Sequence, residues 1–125
     1  MFARPSKQLA GKWELYEYYS ESEEKLIHKE KVQLQAEQLF SRIEFLEDSN
    51  FLSDSNLPEN IFQGEEPFTW SVARNFVTLV HKNDFRNNKD FQFAISKQTL
   101  KLLQKDQLGK IVFFGFFRKL NDAKN

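Results

Sequence analysis

Residues 110–120 read KIVFFGFFRKL, four phenylalanines set around Gly115 and closed by Arg118 and Lys119. A strand that covers a core with one face and meets water with the other alternates apolar and polar residues. This run is apolar at both parities. Three explanations fit: a strand buried on both faces, the wall of a ligand cavity, or a strand whose outer side docks onto something. Ile111 to Phe117 is far too short an apolar run for a helix that crosses a bilayer, which needs about 20 residues.

The rest of the chain decides the company this strand keeps. At 125 residues one domain with a true core is expected, since folding at this size hides roughly two-thirds of the unfolded surface. Lys plus Arg number 18 and Asp plus Glu number 18. That balance offers neither nucleic acid nor an anionic membrane surface an electrostatic footprint, and neither partner is expected. Fourteen phenylalanines against three tyrosines and two tryptophans put most of the aromatic mass in rings without a polar tip, which belong in a core or on a contact surface. With no cysteine, disulfide frameworks, thiolate metal sites and cysteine nucleophiles are excluded. The opening MFARPSKQLAGKW lacks the apolar run of a signal peptide, and a cytoplasmic setting is the expectation, with a secreted one as the alternative if a leader has been removed.

Short alternating runs separated by turn chemistry predict an antiparallel sheet protein. Trp13, Leu15 and Tyr19 share one side of the first run with Glu17, and Glu14, Tyr16 and Tyr18 take the other. SRIEFL (41–46) is a strand, EDSN turns it, and Phe51 starts the return. FTWSV (68–72) and FVTLVH (76–81) form a hairpin around residues 73–75, and FQFAI (91–95) and LKLLQ (100–104) flank the turn SKQT. Over 24–40 a strand followed by a helical turn near 33–40 is expected, with a helix pair as the competitor. Seven to ten short strands and almost no long helix imply a sandwich or a closed barrel.

LAGKWEL at 9–15 resembles the opening of lipocalins and their calycin relatives, where a short helical turn precedes a Gly-x-Trp motif on the first strand. IEFLEDSNF (43–51), Trp70 before a hairpin, and the closing FFRKL (116–120) are similar to small bacterial lipocalin-like domains. The resemblance implies an all-β, small antiparallel meander barrel of one domain over residues 1–125, with its last strand paired to its first. It also implies a basic residue of the last strand lying over the Gly-x-Trp indole. Arg118 matches that position and Trp13 the indole, with Lys119 at the opposite parity. A helix pair over 20–40 would instead point to the intracellular fatty-acid carriers, which also begin on a Gly-x-Trp strand.

Setting Arg118 across from Trp13 predicts inward pairs Phe116 with Leu15, Phe114 with Glu17 and Val112 with Tyr19. Outward pairs are then Phe117 with Glu14, Gly115 with Tyr16 and Phe113 with Tyr18. The candidate barrel lining is Glu17, Tyr19, Phe45, Trp70, His81, Phe93 and Phe114. The candidate outer patch is Tyr16, Tyr18, Phe113 and Phe117, covered either by the chain's own MFARPSKQL or 30–40 segments or by a second copy. Glu17 is either a polar anchor in the lumen or a residue that a bulge turns outward, because an unpaired carboxylate is costly to bury. His81, in parity with Val77 and Leu79, faces the barrel mouth.

No nucleophile elbow, zinc helix or phosphate loop occurs, and SESEE lacks the alternating ligands of a calcium loop. No catalytic residue, metal or cofactor is therefore expected, and the chain reads as a non-enzyme. Two functions remain. One is non-catalytic binding of a small hydrophobic or amphipathic ligand in the barrel. The other is a protein-interaction module with a filled barrel and an outer aromatic patch, which includes a homodimer. A calycin-type enzyme is a distant third.

Overall fold

A computed structural model describes residues 5–22, 25–59, 61–62 and 68–120. The chain opens with one helical turn, α1 (Pro5–Leu9), whose proline sits where a helix can spare an N–H. Nine strands follow among the described residues: β1 (Gly11–Ser22), β2 (Lys25–Lys29), β3 (Ser41–Phe45), β4 (Asn50–Ser55), β5 (Phe68–Ala73), β6 (Phe76–His81), β7 (Lys89–Ser96), β8 (Thr99–Lys105) and β9 (Ile111–Leu120). A second short helix, α2 (Lys31–Ala36), follows β2, and the Glu30 backbone N–H donates to Gln33 Oε1 at 2.7 Å to start it. Among the described residues 25–40 is thus strand then helical turn, with no helix pair.

Every neighbouring strand pair is antiparallel in the order β1-β3-β4-β5-β6-β7-β8-β9, and β9 returns to pair with β1. Eight strands close into a barrel, and β2 hairpins onto the far half of β1. Closure removes the free edges that an open sheet must protect. Among the described residues the ladder is shortest between β4 and β5, where Asn50 faces Thr69 and Phe51 faces Phe68.

Between β1 and β9 the register differs from expectation. Trp13 faces Lys119, Glu14 faces Arg118 and Leu15 faces Phe117; then a bulge at Tyr16 shifts the pairing, so that Glu17 faces Phe116, Tyr18 faces Gly115 and Tyr19 faces Phe114. A one-residue slip turns each side chain to the opposite face, and a bulge adds one more on one strand. Phe113, Phe117 and Tyr18 are therefore fully buried inside, correcting their assignment to the outer patch. Glu17, Tyr19 and Phe114 face outward, correcting their assignment to the lining.

Candidate functional site

The closed end of the barrel is built from the Gly-x-Trp strand. Trp13 is buried and donates its indole Nε1–H to the Leu9 carbonyl at 2.8 Å, which ties α1 across the opening. The cation over this indole is Lys119, at 4.7 Å from the ring; Arg118 lies 4.9 Å from the Tyr16 ring on the outside. The expected Trp13–Arg118 pair is thereby corrected to Trp13–Lys119, as the shifted register requires. Lys119 Nζ also donates to the Ala10 carbonyl at 2.6 Å, and burial pulls its pKa below the usual lysine range. Gly11 makes room for it. Its φ is +127°, and a Cβ there would meet Lys119 Nζ at 2.7 Å, so the motif's glycine serves both the backbone and the lysine stem.

Phe62, from the connection between β4 and β5, fills the middle of the barrel. It is buried, and its ring lies 5.9 Å from Phe51, 5.6 Å from Phe91, 6.2 Å from Phe113 and 6.3 Å from Phe117. Gly115 sits inside between Phe113 and Phe117, where an added Cβ would meet the Phe113 ring at 2.7 Å. The absent side chain is the space those rings use. Nearby, the Tyr18 hydroxyl donates to Glu59 at 2.7 Å. Burial first, then that carboxylate, push the Tyr18 pKa far above the usual phenol value. Ser41 is completely buried, and its hydroxyl finds no hydrogen-bond partner among the described residues.

Of the remaining lining candidates, Phe45 is buried 5.2 Å from both Phe51 and Trp70, and Phe93 packs half-buried against the core. Trp70 donates Nε1–H to the Leu46 carbonyl at 2.9 Å. With Lys7, Ala10, Glu47, Ser49, Ser71 and Val72 it borders an open groove of about 540 Å³ outside the barrel's aromatic centre. His81 is buried and faces inward, yet its Nδ1 accepts the N–H groups of Asn83 and Asp84 at 3.1 and 2.9 Å. It shapes the β6–β7 connection.

The outer face of β1, β9 and β8 gathers what the lining lost. Phe114 and Phe116 lie 4.7 Å apart, Tyr19 is 6.4 Å from each, and Tyr16 is 6.3 Å from Phe116. All four rings are half-buried. His28 from β2 stacks on Tyr19 at 4.0 Å with nearly parallel planes, and its Nε2 meets Glu17 Oε2 at 2.8 Å. Lys101 approaches the Phe116 ring at 5.9 Å. An outer aromatic patch thus exists with Tyr16 as the one expected member present; Tyr19, Phe114 and Phe116 are its other rings. The described part of α1 seals the barrel end and leaves this face uncovered. α2 flanks it beside Tyr16 and Arg118, where a recess of about 180 Å³ forms.

The sequence missed Phe62, whose signal is the apolar pair Ile61–Phe62 in a connection otherwise rich in polar residues and proline, and missed His28 as a partner of Glu17. Among the described residues no group of three His, Cys, Asp or Glu side chains could hold a metal ion, and no helix is long and apolar enough to cross a membrane.

A closed antiparallel meander, its last strand zipped to its first and its end sealed by an indole beneath a cation, has the architecture of a lipocalin-like barrel. Among solved structures the chain is similar to a lipocalin-like protein from Bacteroides uniformis ATCC 8492, at 17% identity and a TM-score of 0.43, over 90% of this chain and 98% of that one. No family model and no curated protein matches the chain.

Proposed function

We propose that this protein is a non-catalytic binding module whose barrel is a packed scaffold and whose binding surface is the outer aromatic face of β1, β8 and β9. The observation that carries the reading is the position of four rings, Tyr16, Tyr19, Phe114 and Phe116, on the water side of a sheet whose inner side already holds Phe113, Phe117 and Phe62. An apolar cluster of this kind, framed by charged residues, is what a partner site requires. Phe114→Ser/Phe116→Ser is the test. The variant should keep its cooperative melt and lose binding of an environment-sensitive apolar dye that the folded wild type retains. Unchanged dye binding by the folded variant would remove the outer face as the binding surface.

A second reading keeps a small apolar guest in the barrel. It is favoured by Phe62 coming from a connection instead of a strand, and by the Ser41 hydroxyl awaiting a polar partner. A guest that displaced the Phe62 ring would meet the aromatic walls formed by Phe51, Phe91, Phe113 and Phe117. Native mass spectrometry of gently purified protein, with thermal shift against fatty acids and isoprenoids, separates the two. A retained apolar molecule or a clear stabilisation supports the guest; an empty, unresponsive barrel leaves the packed scaffold.

A further inference from the structure

We infer that the outer face is a self-association surface on which two copies of this chain pack about a two-fold axis parallel to β9, with the acidic β1 of one protomer over the basic β8 of the other. The inference rests on the outer-face reading above and names its occupant.

The argument is the order of charge across the three strands. Pairing places Glu17, Phe116 and Lys101 in one row, Tyr19, Phe114 and Leu103 in the next, and Glu14, Arg118 and Thr99 in the row on the other side. Each row runs from β1 through β9 to β8. In the Phe116 row acid lies on the β1 flank and base on the β8 flank with the phenylalanine between, while in the third row the cation, Arg118, stands on β9 itself. Lys101 makes no ion pair among the described residues.

Two copies can face each other across such a sheet in two symmetric ways. An axis across the strands would lay β1 on β1 and β8 on β8, setting Glu17 near Glu17 and Lys101 near Lys101. An axis along β9 keeps each row at its own height and exchanges the flanks. Phe116 then meets Phe116, Phe114 meets Phe114, and Glu17 of each copy lies over Lys101 of the other. Arg118 approaches Arg118 at one end of the line, away from its middle, but the two Glu17–Lys101 pairings at the Phe116 row replace two like-charge pairings, and that balance selects the second arrangement.

The barrel's shape agrees. Convex faces touch along a line, here β9, and the gap widens to either side. Short apolar rings suit the line of contact, and long Glu and Lys side chains suit the widening flanks. Stacked sheets cross at about 30° because each is twisted, so the row through Phe116, near the middle of the contact, keeps its register best. A partner of one charge, such as nucleic acid, would match one flank and be repelled by the other. The contact is narrower than the roughly 800 Å² per partner of a standard interface. The dimer is therefore expected to be concentration-dependent.

Sedimentation equilibrium on the full chain at low salt tests this. The wild type should self-associate, and Glu17→Lys or Lys101→Glu should each weaken association by roughly tenfold or more. An equimolar mixture of the two single variants should associate again, because each copy then offers the other a complementary flank. Lys101→Glu leaves the Glu17–His28 contact intact, so its effect is free of that loss. A monomer at every concentration, or association indifferent to both reversals and to mixing, would overturn the dimer. The outer-face reading would still be judged separately by dye binding to the Phe114→Ser/Phe116→Ser variant.

Discussion

Two neighbouring cations at the end of β9 do different work, and a pair of substitutions reads the difference. Lys119 lies over a buried indole and donates to the Ala10 carbonyl; Arg118 rests on the Tyr16 ring at the surface. Lys119→Met keeps the apolar stem but removes the cation and the donor, and should cost about 1–3 kcal/mol by chemical denaturation. Arg118→Ala should cost about 0.5–1 kcal/mol. Equal losses would return the closing role to Arg118. Tyr18 carries a pH signature of its own. Its pKa is raised in the folded chain, so the folded state holds the phenolic proton more tightly than the unfolded one. That stabilisation is complete below the ordinary tyrosine pKa of about 10 and declines as pH rises beyond it. Lys119 acts in the opposite sense, since a lowered lysine pKa makes stability grow as pH rises towards the ordinary value of about 10.4. Comparing Tyr18→Phe with wild type at about pH 8 and about pH 11 cancels the lysine, which both share. The variant should show the shallower alkaline decline, and parallel declines would contradict the buried Tyr18–Glu59 contact.

At the scale of elements, the strands were legible and one bulge was not. The hairpins 68–81 and 91–104 announced themselves through alternation and turn residues, and both are present with nearly those bounds. Tyr16 left no such mark, because a bulge adds a residue without changing composition, and either neighbour could have been the extra one. That single residue decided which of Glu17, Tyr18 and Tyr19 faces the core, while Lys119 in place of Arg118 opposite Trp13 decided the faces of Phe113, Phe114 and Phe117. Glu17 did hold a clue: the cost of burying a carboxylate already favoured an outward turn. The same unevenness of pairing predicts uneven opening. Amides of β4 beyond Phe51, paired among the described residues with β3 alone, should exchange with solvent faster than those in the middle of β8, which hydrogen-bonds on both sides. Uniform protection across the barrel in hydrogen-exchange mass spectrometry would count against the thin β4–β5 ladder.

Across the whole molecule the interior is a mesh of rings with Phe62 at its crossing. Phe62→Ala should cost about 3–5 kcal/mol and leave a cavity with aromatic walls. Benzene should then raise the variant's melting temperature while leaving the wild type's unchanged. Equal response from both would mean that the native barrel already has room. The join of β1 to β9 has a further consequence for how the chain is made. Lys12 faces Leu120, so β1 must wait until nearly the whole barrel has been made before this partner exists. At about 5–20 residues per second that interval is roughly 5–20 s. Throughout it Leu15 and Tyr18 lack the strand that will bury them, and β1 keeps a row of unanswered backbone groups. A nascent chain of this design is a client for ribosome-bound chaperones until β9 emerges, and slowing translation of the codons for β8 and β9 would lengthen that exposure.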